Sequence, residues 1–100
     1  MIVVRDIFRI KFGQTKEAVA LWKQAGSVNK ELGYGQSMRM LTDFVGLSYY
    51  TLVLESSFES MAAFEKAIGE VTASPEWRAI YQKIVPLTES GHREILKEIA

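Results

Sequence analysis

The sequence predicts an α+β domain in which strands and helices follow the order β-α-β-β-α-β. Three observations carry this reading. The hydrophobic period switches between two and three-to-four along the chain, so strand-like and helix-like segments alternate. The second helical stretch is broken by Ser74-Pro75, a helix stop and start in one dipeptide. The length of 100 residues leaves room for one domain, residues 1–100.

The elements follow in order. Residues 2–12 alternate, with Ile2, Val4, Phe8, Ile10 and Phe12 on one face and Val3, Arg5, Ile7, Arg9 and Lys11 on the other. Gly13 ends this first strand. Residues 15–32 place Ala18, Leu21, Trp22, Ala25, Val28, Asn29 and Leu32 on one helical stripe, with Gly26 and Ser27 weakening the middle and Gly33 as the stop. Residues 36–44 read as a second strand and 47–55 as a third, with a short turn at Gly46. The third strand puts Tyr50, Leu52 and Leu54 on one face and Leu47, Tyr49 and Val53 on the other, so both faces are mostly apolar. Ser56 and Glu59 have the spacing of a capping box, with Ser57 competing as N-cap, for a helix carrying Met61, Phe64, Ile68 and Val71. Ser74 caps a further short helix that has Pro75 at its first position, Trp77, Ile80, Tyr81 and Ile84 on its stripe, and Pro86 as its stop. Residues 91–99 read as a last strand, although Glu94, Leu96, Lys97 and Glu98 are equally good helix formers.

This order is the ferredoxin-like split β-α-β arrangement: a four-stranded antiparallel sheet in the order 4-1-3-2 with helices on one face. The helices leave the second face of the sheet uncovered. A second copy of the chain is the simplest cover for an apolar sheet face, which points to a homodimer.

Composition bounds the function. Twelve Lys+Arg balance twelve Asp+Glu, so no net field draws the chain to nucleic acid or an anionic membrane. A folded chain of 11.3 kDa should expose roughly 5,700 Å². The absence of cysteine removes disulfides, thiolate nucleophiles and cysteine-based zinc sites, and favours a reducing, cytoplasmic setting. The opening apolar run, Met1 to Val4, is too short for a signal peptide or a membrane span.

The segment Ser74-Pro75-Glu76-Trp77-Arg78-Ala79, followed by Pro86-Leu87 and Arg93-Glu94-Ile95-Leu96, resembles the NIPSNAP-like members of the dimeric α+β barrel superfamily. The opening strand ending Ile10-Lys11-Phe12-Gly13 is similar to that family's first strand and its turn into a helix. The chain departs from the family where Glu, Arg and an aromatic residue often alternate, having Val4, Asp6 and Phe8 instead. The resemblance implies a dimer whose two sheets face each other around a cavity. It leaves the chemistry open, since the superfamily includes cofactor-free monooxygenases, haem-degrading enzymes, isomerases and dehydratases.

Candidate chemistry is sparse. Asp6 falls on the apolar face of the first strand, where a carboxylate needs an arginine partner or a cavity mouth; as a catalyst it would be a base. His92 is the only histidine, a weak acid–base candidate and no metal site by itself. The superfamily's haem-degrading enzymes usually carry their ligand on a helix, whereas His92 opens the last strand. Arg5, Arg9, Arg39, Tyr49, Thr51 and Glu55 can share the sheet face away from the helices. There they would either bind an anionic or carbonyl-bearing ligand or form ion pairs at the rim. Trp22, Trp77 and the methionines read as core packing. No phosphate loop and no serine-histidine-acid signature is present. Two function classes follow. One is a homodimer binding a small, mostly apolar molecule without cofactor, metal, nucleic acid or membrane. The other is a cofactor-independent monooxygenase or isomerase acting on a small organic substrate.

Overall fold

A computed structural model describes residues 1–46 and 48–99. Strand β1 (Ile2–Ile10) is followed by helix α1 (Thr15–Glu31), strands β2 (Arg39–Thr42) and β3 (Thr51–Phe58), and helices α2 (Met61–Ala73) and α3 (Pro75–Ile84). A 3-10 turn over Val85–Leu87 then leads into strand β4 (Thr88–Lys97). All strand pairings are antiparallel and the order is β2-β3-β1-β4, the predicted 4-1-3-2. With principal dimensions of 36 × 34 × 18 Å, the fold is a slab two layers thick, one of sheet and one of helices.

The core lies between those layers. Val4 and Ile10 from β1, Leu52 and Leu54 from β3, Ala18, Leu21, Trp22 and Ala25 from α1, and Ile84 from α3 are all buried. The even positions of β1 and β3 thus meet the helices, as period-two alternation requires. Ser74 caps α3 as expected: its side chain accepts a hydrogen bond from the Trp77 N–H, with Pro75 next in the chain. Among the described residues no helix is long and apolar enough to cross a membrane.

Four expectations are corrected. The second strand is confined to Arg39–Thr42 rather than spanning 36–44. The third strand starts at Thr51, not 47, and runs on to Phe58; Leu47 lies outside the described residues. The cause is a clasp by Asp43, whose side chain accepts from the Thr51 N–H while its own N–H donates to the Thr51 carbonyl. Tyr49 and Tyr50 are thereby left in the connecting turn, Tyr50 with φ +62°. The open face of β3 is then Thr51, Val53, Glu55 and Ser57, less apolar than expected. The capping box at Ser56 does not form, because Ser56 and Ser57 stay paired with β1 through to Ile2 opposite Phe58. Ser60 caps α2 instead, accepting from the Ala63 N–H. Phe12 lies beyond the end of β1, exposed and tilted against Tyr50, rather than on the core face.

The closing segment is a strand, and a longer one than 91–99. It pairs with β1 from Lys97 opposite Ile2 to Thr88 opposite Ile10, with a register shift after Arg9. Pairing along the free edge of β1 overrides the helix propensity of Glu94, Leu96 and Lys97.

Candidate functional site

The main cavity is a cleft of about 550 Å³ between the helical layer and the sheet. Helix α1 contributes Trp22, Gly26 and Asn29, three positions on one helical stripe, with the bare glycine in the middle. Strand β1 contributes Val4, Asp6 and Phe8, and α3 contributes Trp77 and Tyr81. The walls are aromatic and ordered by stacking. Phe8 lies 5.4 Å from Trp22 at 19°, and Trp77 lies 4.9 Å from Tyr81 at 13°. Trp22 meets Tyr81 edge-on at 6.3 Å, which joins the two stacks. Phe58 and Phe64 form a further edge-on pair in the lining.

One ion pair is set into this apolar wall. Asp6 and Arg93 face each other across β1 and β4. The Arg93 Nε donates to Asp6 Oδ1 at 2.6 Å and its Nη2 to Oδ2 at 3.3 Å. The guanidinium also lies 5.1 Å from the centre of the Phe64 ring. Both charges are therefore satisfied in place. Tyr34, in the connection from α1 to β2, also lines the cavity, and its hydroxyl donates to the Glu70 carboxylate on α2. That hydrogen bond, with burial and the nearby negative charge, pushes the tyrosine pKa up.

Of the residues singled out in the sequence, Asp6 and His92 border this cavity. Asp6 has the arginine partner its apolar setting called for. His92 pairs in register with Ile7, which turns its ring to the opposite face, where Nε2 is 3.6 Å from Glu94. Arg9, Arg39, Tyr49, Thr51 and Glu55 lie outside the cavity lining. On the open sheet face, Glu55 receives Arg5 at 2.8 Å on one oxygen and Arg39 at 2.8 Å on the other. Arg9 reaches Glu89 at 3.2 Å. The Thr51 hydroxyl donates to the Ser48 carbonyl, and Tyr49 is an exposed turn residue.

The hydrogen bond from Arg5 does most to lower the Glu55 pKa; burial works against it, and Arg39 adds to the lowering. A depressed carboxylate contributes stability above its ordinary value of 4.5 that is lost as pH falls through the lower folded-state value. The acid limb of thermal stability, followed by circular dichroism from pH 7 down to about 2, should therefore flatten in Glu55→Gln. An unchanged acid limb would show that the cluster adds nothing in solution.

Trp22 and Trp77 pack as predicted, yet they also line the cavity, and Arg93, which the sequence marks only within its closing motif, joins them there. The sequence does hold a sign of the first: a glycine at 26 between Trp22 and Asn29 opens a gap in an otherwise filled stripe. Arg93 joins the site only through the β1–β4 register, which periodicity does not reveal.

Comparison with known proteins follows the same lines. The family model NIPSNAP matches residues 5–100. An uncharacterized NIPSNAP domain protein from Burkholderia xenovorans superposes with a TM-score of 0.82 at 20% identity, covering 100% of this chain and 96% of that one. A NIPSNAP family protein from Agrobacterium tumefaciens gives 0.86 at 20% identity, over 98% and 85% of the two chains. A Nitrosomonas europaea protein provisionally assigned as an antibiotic biosynthesis monooxygenase gives 0.73 at 10% identity, over 100% of both. At these identities the structural likeness is one of fold. Among curated proteins none matches the chain.

Proposed function

The chain belongs to the NIPSNAP family, and on that footing we propose that it is a homodimeric binding protein that holds a small, mostly apolar molecule in the cleft between helices and sheet. The carrying observation is the cleft itself: about 550 Å³, walled by stacked aromatic rings and marked by a single satisfied ion pair. Few polar groups in a largely apolar concavity is the usual make-up of a small-molecule site. The sequence placed this ligand between two facing sheets. The cleft of a single chain lies on the other side of the sheet, so in this reading binding and pairing use opposite faces.

Pairing is supported by surface. The chain exposes 6699 Å², roughly 1,000 Å² more than its mass implies. That excess is near one partner's share, about 800 Å², of a standard interface. The open face offers Val3, Ile7, Leu41, Val53 and Leu96 in register, beside the Arg5–Glu55–Arg39 cluster.

The runner-up class, a cofactor-independent monooxygenase or isomerase, draws on the fold shared with the Nitrosomonas protein. The geometry at Asp6 favours binding over that class. Arg93 engages both carboxylate oxygens, an arrangement that holds a charge in place rather than one free to take a substrate proton.

Both tryptophans of the chain line the cleft, so intrinsic fluorescence reads its occupancy directly. Titration with 2-ethylnaphthalene should quench emission saturably with one site per chain. Gly26→Leu, which fills the gap in the α1 stripe, should weaken that binding at least tenfold, while a folded far-ultraviolet spectrum is kept. Quenching that never saturates, or that is the same in Gly26→Leu, would overturn the proposal.

A further inference from the structure

Helices α1 and α2 both pack on α3 but scarcely on each other. The cleft runs between them, over the sheet. On the α2 side its lining is Phe64, Ala67, Ile68, Val71 and Thr72, the i, i+3, i+4, i+7, i+8 stripe of one helical face. Among the described residues, one side-chain hydrogen bond joins the α1 side of the cleft to α2: the Tyr34 hydroxyl donates to the Glu70 carboxylate. Tyr34 is half-buried and lines the cleft, whereas Glu70 is exposed and lies outside the lining. The bond therefore runs from the cavity to the surface, at the cavity's rim.

The backbone of Tyr34 is pinned where it stands. Its N–H donates to the Asn29 carbonyl at 2.8 Å, and the Gly33 N–H donates to the Lys30 carbonyl at 3.0 Å, which closes off the end of α1. Gly33 and Gly35 flank it with φ of +91° and +82°, a conformation costly for other residues. An added Cβ at Gly33 would meet nothing within 4 Å, so glycine there serves the geometry of the turn and not packing. With the main chain fixed, the tyrosine side chain is the part that can swing.

We propose that Tyr34 and Glu70 form a latch across the mouth of the cleft, which sets how fast a small apolar ligand enters and leaves. With the hydrogen bond made, the phenol side chain ties the two walls together. With it broken, the ring rotates about its own side-chain bonds, and no other side-chain hydrogen bond holds α2 to the α1 side. Closures of this kind set the rates of many ligand-binding steps. The bond uses no ligand atom, so it favours neither the free nor the loaded protein; entry and exit slow alike and affinity stays the same. This inference rests on the cleft being a binding site and names the device that controls access to it.

Stopped-flow mixing with 2-ethylnaphthalene, followed by tryptophan emission, reads both rates, and equilibrium titration reads affinity. Tyr34→Phe keeps the ring and removes the donor. Glu70→Ala removes the acceptor at an exposed helix position and tests the latch even if the tyrosine variant folds poorly. Each should raise the entry and exit rate constants together, about three- to tenfold, as loss of one net hydrogen bond does. The Kd should stay within about twofold of the parent's, the spread expected of an unchanged equilibrium. The double variant should be no faster than either single one, because all three lack the same bond. Parental rates in both single variants, with saturable binding intact, would overturn the latch and leave the binding site standing. Effects that multiply in the double variant would overturn it too. Faster exit with unchanged entry would make Tyr34 a ligand contact instead of a latch. Absence of saturable quenching in the parent would defeat the cleft reading itself, and the latch with it.

Discussion

Gly91→Ala should destabilise the fold by about 1–3 kcal/mol, the usual cost of forcing a methyl group into a filled space. A Cβ at this position would lie 2.6 Å from Cδ1 and 2.9 Å from Cε1 of Phe8. Its backbone is not in the left-handed region, so the penalty is one of space alone. Gly91 and Phe8 are opposite each other in the β1–β4 pairing, and the phenyl ring covers the glycine. That ring cannot swing aside cheaply, because its other side is stacked on Trp22. The damage should therefore propagate into the cleft wall. Denaturant unfolding of Gly91→Ala in the parent and in a Phe8→Ala background closes the cycle. With the ring removed the penalty should vanish, or turn slightly favourable because alanine is a better strand residue than glycine. An equal cost in both backgrounds would show that the Phe8 contact is not its source.

Much of this was legible from local rules. The β1 alternation, the α1 stripe and the Ser74-Pro75 restart each depend on neighbours within a turn or two of chain, and each stands in the structure. What misled the reading was longer in range. Tyr49 and Tyr50 are strand-type residues, but Asp43 clasps Thr51 and Tyr50 turns to a positive φ, so the strand begins later. Ser56 has a helix-cap spacing, but the sheet claims it first. The same limit applies to the candidate site. Asp6 needed a partner by electrostatics alone, whereas the identity of that partner, Arg93, depended on a register 87 residues away in sequence. The aromatic wall was misjudged for a different reason. Core and cleft use the same residue types, and only the gap at Gly26 tells them apart.

Val53→Lys should convert the protein to monomers while leaving each monomer folded. Val53 sits on the open sheet face, opposite Ile7 on one side and Leu41 on the other, in the middle of its apolar patch. Within one chain it is only half-buried, so a lysine there can lay its stem over Ile7 and keep its ammonium in water. Across a two-fold interface the same ammonium would be desolvated near its own symmetry copy, while Glu55 on that face is already held by Arg5 and Arg39. Breaking such an environment costs several kcal/mol. The opposing driving force is large in gross terms: about 800 Å² per partner at roughly 25 cal/mol per Å² is on the order of 20 kcal/mol, before association entropy and polar desolvation are subtracted. Lys16→Glu, on the exposed side of α1, should leave the assembly unchanged. Sedimentation equilibrium at tens of micromolar should give a dimeric parent, a dimeric Lys16→Glu and a monomeric Val53→Lys with a native circular dichroism spectrum. A monomeric parent would remove the homodimer from the proposed function, and a Val53→Lys variant that stays dimeric would move the interface to another face of the slab. Because the cleft lies between the helices and the sheet, away from Val53 on the open face, the monomeric variant should still quench with 2-ethylnaphthalene as the parent does, which separates pairing from binding in a single preparation.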